Sequence, residues 1–165
     1  MRWYVLHVLS GQELKVQRYH EKRTPELKTL VPCRIVNERK NGVQKTVKRI
    51  LFPGYVFVQV DLTPESYYKA IAPEGVISFL GRPTPSPVPP HEMANVLRLC
   101  SESELVGTSK VTDGDKVKII SGPLKDFEGQ IIKVDRRKGR ARVRMTLFGQ
   151  EKDVDFGIEL LQAPE

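Results

Sequence analysis

The chain has 165 residues, with 27 Lys and Arg against 20 Asp and Glu, a net charge of +7 and a sequence pI near 9.5. This balance favours nucleic acid or another acidic partner over a small neutral ligand, and the length allows one domain or two small ones. Cys33 and Cys100 are the only cysteines, without a CxxC or His/Cys cluster, so no metal or cofactor is expected. With no signal-like or membrane-length apolar run, the reading is a soluble cytoplasmic protein.

Taken in order, Trp3 to Leu9 is a run of aromatic and branched residues that reads as a strand. Ser10, followed three residues later by Glu13, has capping-box spacing and predicts a helix to about Arg23, stopped at Thr24-Pro25. Leu30 to Glu38 reads as a strand, Asn41-Gly42 as a tight turn and Val43 to Arg49 as a polar returning arm. The hairpin tip carries Arg39 and Lys40, with Lys45, Lys48 and Arg49 close by. Such a charge run serves solubility as readily as binding. Tyr55 to Val60 is nearly all apolar after a Pro53-Gly54 kink, as a central strand buried on both faces would be. Pro64 opens a second helix carrying Tyr67, Tyr68 and Ile71, and Val76 to Leu80 is a short last strand. This order predicts an α/β sandwich, with helices covering one face of a mostly antiparallel sheet.

Gly81 to Pro90 contains five prolines and cannot be regular structure. His91 to about Ser101 reads as a third helix with Met93, Val96, Leu97 and Cys100 as its apolar side. The expected division is a domain over 1–100, a flexible linker over 101–110 and a second domain over 111–165. In the second domain Val117 and Ile119 alternate with Lys116 and Lys118, as in a strand with the apolar residues inward. Gly122-Pro123 turns the chain, 124–128 is a loop, and Gly129 is expected where only hydrogen fits or φ is positive. A unit this small is met by a five-stranded barrel, so the whole chain is classed α+β.

From Lys133 to Arg144 there are seven basic residues and one acid, Asp135. Lys133, Arg136, Arg137 and Lys138 lead into a turn, after which Arg140, Arg142 and Arg144 share one strand face, opposite Ala141, Val143 and Met145. Three arginines on one face beside a basic turn point to polyanion binding. Arginine forks suit phosphates and stack on bases, so a structured RNA is the natural target. His7, His20 and His91 lack ligand-spaced partners, and Ser10 lacks a base. With no paired carboxylates or phosphate loop either, an enzyme fits worst.

Two sets of motifs carry a resemblance. Gly114-Asp115-x-Val117, Gly122-Pro123, Phe127-x-Gly129-x-Ile131 and Val134-Asp135 resemble a KOW motif, a small SH3-like barrel. Trp3-Tyr4-Val5-Leu6-His7, Ser10-Gly11-Gln12-Glu13, Phe52-Pro53-Gly54-Tyr55-Val56, Gly75 to Gly81 and Leu147-Phe148-Gly149 resemble NusG-family transcription factors. Together these span about residues 2–162.

The resemblance implies an N-terminal domain that binds the RNA polymerase clamp helices, favouring the processive state. It also implies a tethered KOW domain that recruits ribosomal protein uS10 or Rho, in a factor that acts as a monomer, off the membrane and without catalysis. It assigns polymerase binding to Tyr4, Phe52, Tyr55, Ile77 and Phe79, contact with upstream DNA to Arg39, Lys40 and Lys45, and a KOW protein-binding rim to Leu124, Phe127 and Phe148. Leu124 departs from the aromatic residue common at its position. The basic turn is a larger departure, because housekeeping members often carry acidic or mixed residues there. It is similar to specialised LoaP-type antiterminators, which read an RNA hairpin in the nascent leader. The alternatives are a general elongation factor coupled to Rho or the ribosome, and a ribosome-associated KOW protein. Some relatives refold the KOW domain into helices, but the period-two pattern here predicts strands.

Overall fold

The structure, a computed structural model, describes residues 1–81, 83–100, 104–113 and 117–161. In chain order these form β1 (Arg2–Val8), α1 (Glu13–Arg23), β2 (Lys28–Leu30), β3 (Cys33–Lys40), β4 (Val43–Ile50), β5 (Tyr55–Val60), α2 (Pro64–Ile71) and β6 (Val76–Phe79). There follow α3 (Pro90–Leu99), β7 (Leu105–Val106), β8 (Ser109–Asp113), β9 (Val117–Ser121), a 3-10 helix (Pro123–Gln130), β10 (Ile131–Asp135), β11 (Arg140–Leu147) and β12 (Gln150–Leu161). Contacts divide the chain into two units, Met1–Val31 with Phe52–Met93, and Pro32–Leu51 with Ala94–Glu165. The β3–β4 hairpin thus groups with the C-terminal part of the chain, across the boundary expected near residue 100.

In the first unit an antiparallel sheet runs β2-β5-β1-β6. Val5, Leu6, Val56, Phe57 and Val58 are wholly buried, so both faces of the two central strands are covered, as the apolar run predicts. α1 begins later than the Ser10 spacing suggests. Its N-cap is Gln12, without a side-chain cap bond. Gly11 at φ 94° bends the chain ahead of the helix, and the buried Glu13 carboxylate reaches back to accept from the Gly11 N–H. α2 starts as expected. Thr63 Oγ1 accepts from Ser66 N–H at 3.1 Å while Ser66 Oγ accepts from Thr63 N–H at 2.8 Å, a reciprocal cap ahead of Pro64.

In the second unit the hairpin turn has both Asn41 (φ 54°) and Gly42 (φ 76°) in the left-handed region, the conformation an Asn-Gly pair favours. β7 adds to β3 in parallel, giving the order β4-β3-β7. A five-stranded sheet runs β10-β11-β12-β8-β9, with β12 and β8 parallel. Val111, Ile119, Ala141 and Val143 are wholly buried, and the segments predicted as strands at 117–120 and 140–145 are strands. β7 and the start of β8 occupy positions 105–110, which were expected as linker. Residues 101–103 of that linker and the turn Gly114-Asp115-Lys116 lie outside the described residues.

Three local expectations change in this unit. The loop after Gly122 is a 3-10 helix, and it drives Leu124 (1% exposed) and Phe127 (2%) into the core. Gly129 sits in open space without a positive φ. The close approach falls instead at Gly157, where a Cβ would lie 2.6 Å from the Ile35 carbonyl oxygen. There β3 meets β12, and Arg34 Nη1 donates to the Asp155 carbonyl at 2.7 Å.

Candidate functional site

The five residues assigned to polymerase contact do not form one patch. Strand register puts His7 opposite both Tyr55 and Ser78, and Leu6 opposite both Val56 and Phe79. Cross-strand partners share a sheet face, so Tyr55 and Phe79 point to opposite faces. Tyr4 falls on the Phe79 face, and their rings meet edge-on at 6.0 Å. Phe52 packs edge-on against Phe57 at 5.7 Å. Tyr4, Phe52 and Phe79 are buried at 7%, 3% and 6% exposure, whereas Ile77 is 54% exposed and Tyr55 is half-buried beside His7. Tyr67, outside the assigned set, stacks on Phe79 at 5.4 Å, with the exposed Tyr68 beside it. Tyr67, Phe79 and the proline segment at Pro83 and Pro85 line a cleft of about 610 Å³. The adjacent aromatic pair on an eight-residue helix was the available signal.

The arginine ladder also changes meaning. Register sets Arg142 opposite Asp155 and Arg144 opposite Asp153. Arg142 Nε donates to Asp155 Oδ1 at 3.0 Å, and Arg144 Nε to Asp153 Oδ1 at 3.1 Å, with Glu151 3.8 Å away. Side-chain hydrogen bonds donated to these carboxylates raise the pKa of both guanidinium groups. Two of the three face arginines therefore carry their own counter-charge. The signal was present in the alternating acids Glu151, Asp153 and Asp155, which mirror the arginines across the Phe148-Gly149 turn.

What remains cationic lies at the other end of β11. The Asp135 carboxylate accepts from the Lys138 N–H at 3.0 Å. This bond, first among the causes, holds the carboxyl pKa below its usual range. The only acid in the run thus pins the turn, and Arg136, Arg137 and Lys138 are left exposed. Arg140 follows, half-buried, its Nε buried without a hydrogen-bond partner.

Across from this turn stands the hairpin tip. Arg39 and Gln44 of the hairpin, with Arg136, Arg137, Lys138 and Arg140, line a cleft of about 720 Å³. Among the described residues Glu38 is its only acidic lining residue and is already held by Arg49, with contacts of 2.8 Å to both carboxylate oxygens. A smaller hollow of about 120 Å³ adjoins, lined by Lys133, Lys138, Arg140 and Arg142 with Asp135 and Asp155. Lys40 and Lys45 are exposed on the hairpin but do not line the cleft. Of the expected protein-binding rim, Leu124 and Phe127 are core, and only Phe148, half-exposed at φ 53°, reaches the surface.

Among the described residues no group of three or more His, Cys, Asp or Glu could hold a metal, and no helix is long and apolar enough to cross a membrane. Residues 1–97 match the family described as transcription termination factor nusG, and residues 114–145 match the KOW motif. The transcription termination/antitermination protein NusG of Bacillus subtilis is 33% identical, over 93% of each chain. Its Chlamydia trachomatis counterpart is 34% identical, over 99% of this chain and 94% of that one. A solved structure titled "Domain interaction in Thermotoga maritima NusG" superposes with a TM-score of 0.58 at 32% identity, covering 94% of this chain and 93% of that chain. Similarity that runs through both segments at this level shows that the chain belongs to the NusG family of transcription termination/antitermination proteins.

Proposed function

We propose that this protein is a processive antitermination factor that acts by binding, in the cytoplasm and as a monomer. The N-terminal segment holds the clamp helices of RNA polymerase, and the basic KOW segment holds nascent RNA, in particular a leader hairpin. The observation that carries the reading is the match to NusG proteins along nearly the whole chain, in a chain whose 133–140 turn is cationic. Tyr55 and Ile77 are the assigned polymerase contacts with accessible surface, and Tyr4, Phe52 and Phe79 support them from the core. RNA contact falls mainly to Lys133, Arg136, Arg137, Lys138 and Arg140, because Arg142 and Arg144 are engaged with Asp155 and Asp153. Burial of Leu124 and Phe127 leaves little of the rim for Rho or ribosomal protein uS10, which favours this reading over a general coupling factor.

A transcription assay with polymerase, a terminator template and an upstream leader hairpin tests the whole reading. Readthrough should rise with the protein and fall back when the hairpin is deleted. Readthrough that ignores the hairpin, with strong stimulation of Rho, would establish the general factor instead.

A further inference from the structure

The two basic patches, separate in sequence, form opposite walls of one cleft. The hairpin contributes Arg39 and Gln44; the β10–β11 turn contributes Arg136, Arg137, Lys138 and Arg140. The walls are fixed to each other where β3 crosses β12, through the Arg34 bond to the Asp155 carbonyl and the side-chain-free approach at Gly157. Arg140 lines the cleft with its Nε buried and without a hydrogen-bond partner, and Arg34 lies outside the lining. Burial, the neighbouring Arg140 charge and the Arg49 charge lower the Arg34 pKa, and Asp155 offsets this only in part. Cations outnumber acids among the lining residues, and the acid there, Glu38, is held by Arg49, the condition in which a bound anion lowers the energy.

We infer that this cleft is a composite site for the phosphodiester backbone of a nucleic-acid strand, gripped from one side by Arg39 and from the other by Arg137 and its neighbours. Guanidinium forks on both walls match phosphate oxygens bidentately, and a cleft of about 720 Å³ holds a run of phosphates better than a single small anion. The site rests on the RNA-binding reading and deepens it, because it makes the hairpin part of the RNA grip and leaves the Arg142–Arg144 face outside.

The test uses the full chain, a mixed-sequence stem-loop RNA and the matching DNA stem-loop, with affinity read by fluorescence anisotropy over a salt series. Arg39→Ala and Arg137→Ala should each weaken binding about tenfold and lower the slope of log affinity against log salt by about one. Lys48→Ala removes the same charge from the same hairpin outside the cleft and should change little; melting curves confirm that each variant folds. If Arg137→Ala weakens binding and Arg39→Ala does not, the composite site falls and RNA binding by the turn stands. Equal losses for Arg39→Ala and Lys48→Ala would reduce the effect to general charge and overturn the site. Binding of DNA alone, sensitive to Arg39 and Arg137, would keep the cleft and overturn the RNA reading. Binding of neither probe would overturn both.

Discussion

His20 is fully buried, with Nδ1 2.7 Å from Thr24 Oγ1 and Nε2 3.0 Å from the Ala70 carbonyl. A carbonyl only accepts, so Nε2 carries the proton, and Nδ1 accepts from the Thr24 hydroxyl. Desolvation lowers the His20 pKa, more than the Ala70 bond and the Glu26 charge raise it. The unfolded chain therefore takes up this proton first as pH falls. The stability tied to neutral His20 is complete above about pH 6.5 and is lost as pH drops from there toward the lower folded value. Urea midpoints should fall across that window in the parent and change less in His20→Gln; identical pH profiles would remove His20 as the titrating group. Burial also pushes the Cys100 thiol up to about 12, with lesser help from Glu104 and Cys33. Iodoacetamide near neutral pH should thus label Cys100 slowly in the folded chain and rapidly in urea. At Gly157, Ala would force its Cβ against the Ile35 carbonyl. The Cys33–Ile50 hairpin should then show faster amide exchange, while the first unit is unaffected.

Among elements, the β11–β12 pair decides how the arginines are used. The strands exchange charge across the register, Arg142 to Asp155 and Arg144 to Asp153, and both guanidinium groups remain solvent-exposed. Exposed pairs of this kind add little to stability, so their main effect is to cancel field on that face. Asp153→Asn with Asp155→Asn should hardly move the melting temperature yet raise RNA affinity and steepen its salt dependence. Unchanged affinity would mean that the freed arginines lie out of reach of the RNA. α2 shows the same economy at its start: Thr63→Ala removes half of the reciprocal cap and should cost about 1 kcal/mol, read by denaturant titration. The elements themselves were largely legible. The Asn41-Gly42 turn, the apolar β5 and the Thr63-Pro64 start were visible because each depends on residues adjacent in the chain. The Ser10 cap was misread because Gly11 takes a positive φ, a backbone choice that the capping-box spacing does not encode.

For the whole molecule, the residues proposed for polymerase contact and those proposed for RNA contact lie in different units. Tyr55→Ala or Ile77→Asp should weaken capture by polymerase clamp helices without changing RNA affinity, and Arg137→Ala should do the reverse. If either variant reduces both, the division of roles is wrong. By itself the sequence determined the mixed α+β class, the family and the presence of two basic patches, because these follow from local periodicity, turn chemistry and motif order. Tertiary structure alone decided what each patch faces. It set Asp153 and Asp155 against two arginines, turned Tyr55 and Phe79 to opposite sides of one sheet, buried Leu124 and Phe127, and brought Arg39 across from Arg137. Strand pairing brings together residues far apart in sequence, and its register sets which side chains share a face. The basic run from Lys133 to Arg144 therefore has one end paired with acids of the next strand and the other exposed beside the hairpin.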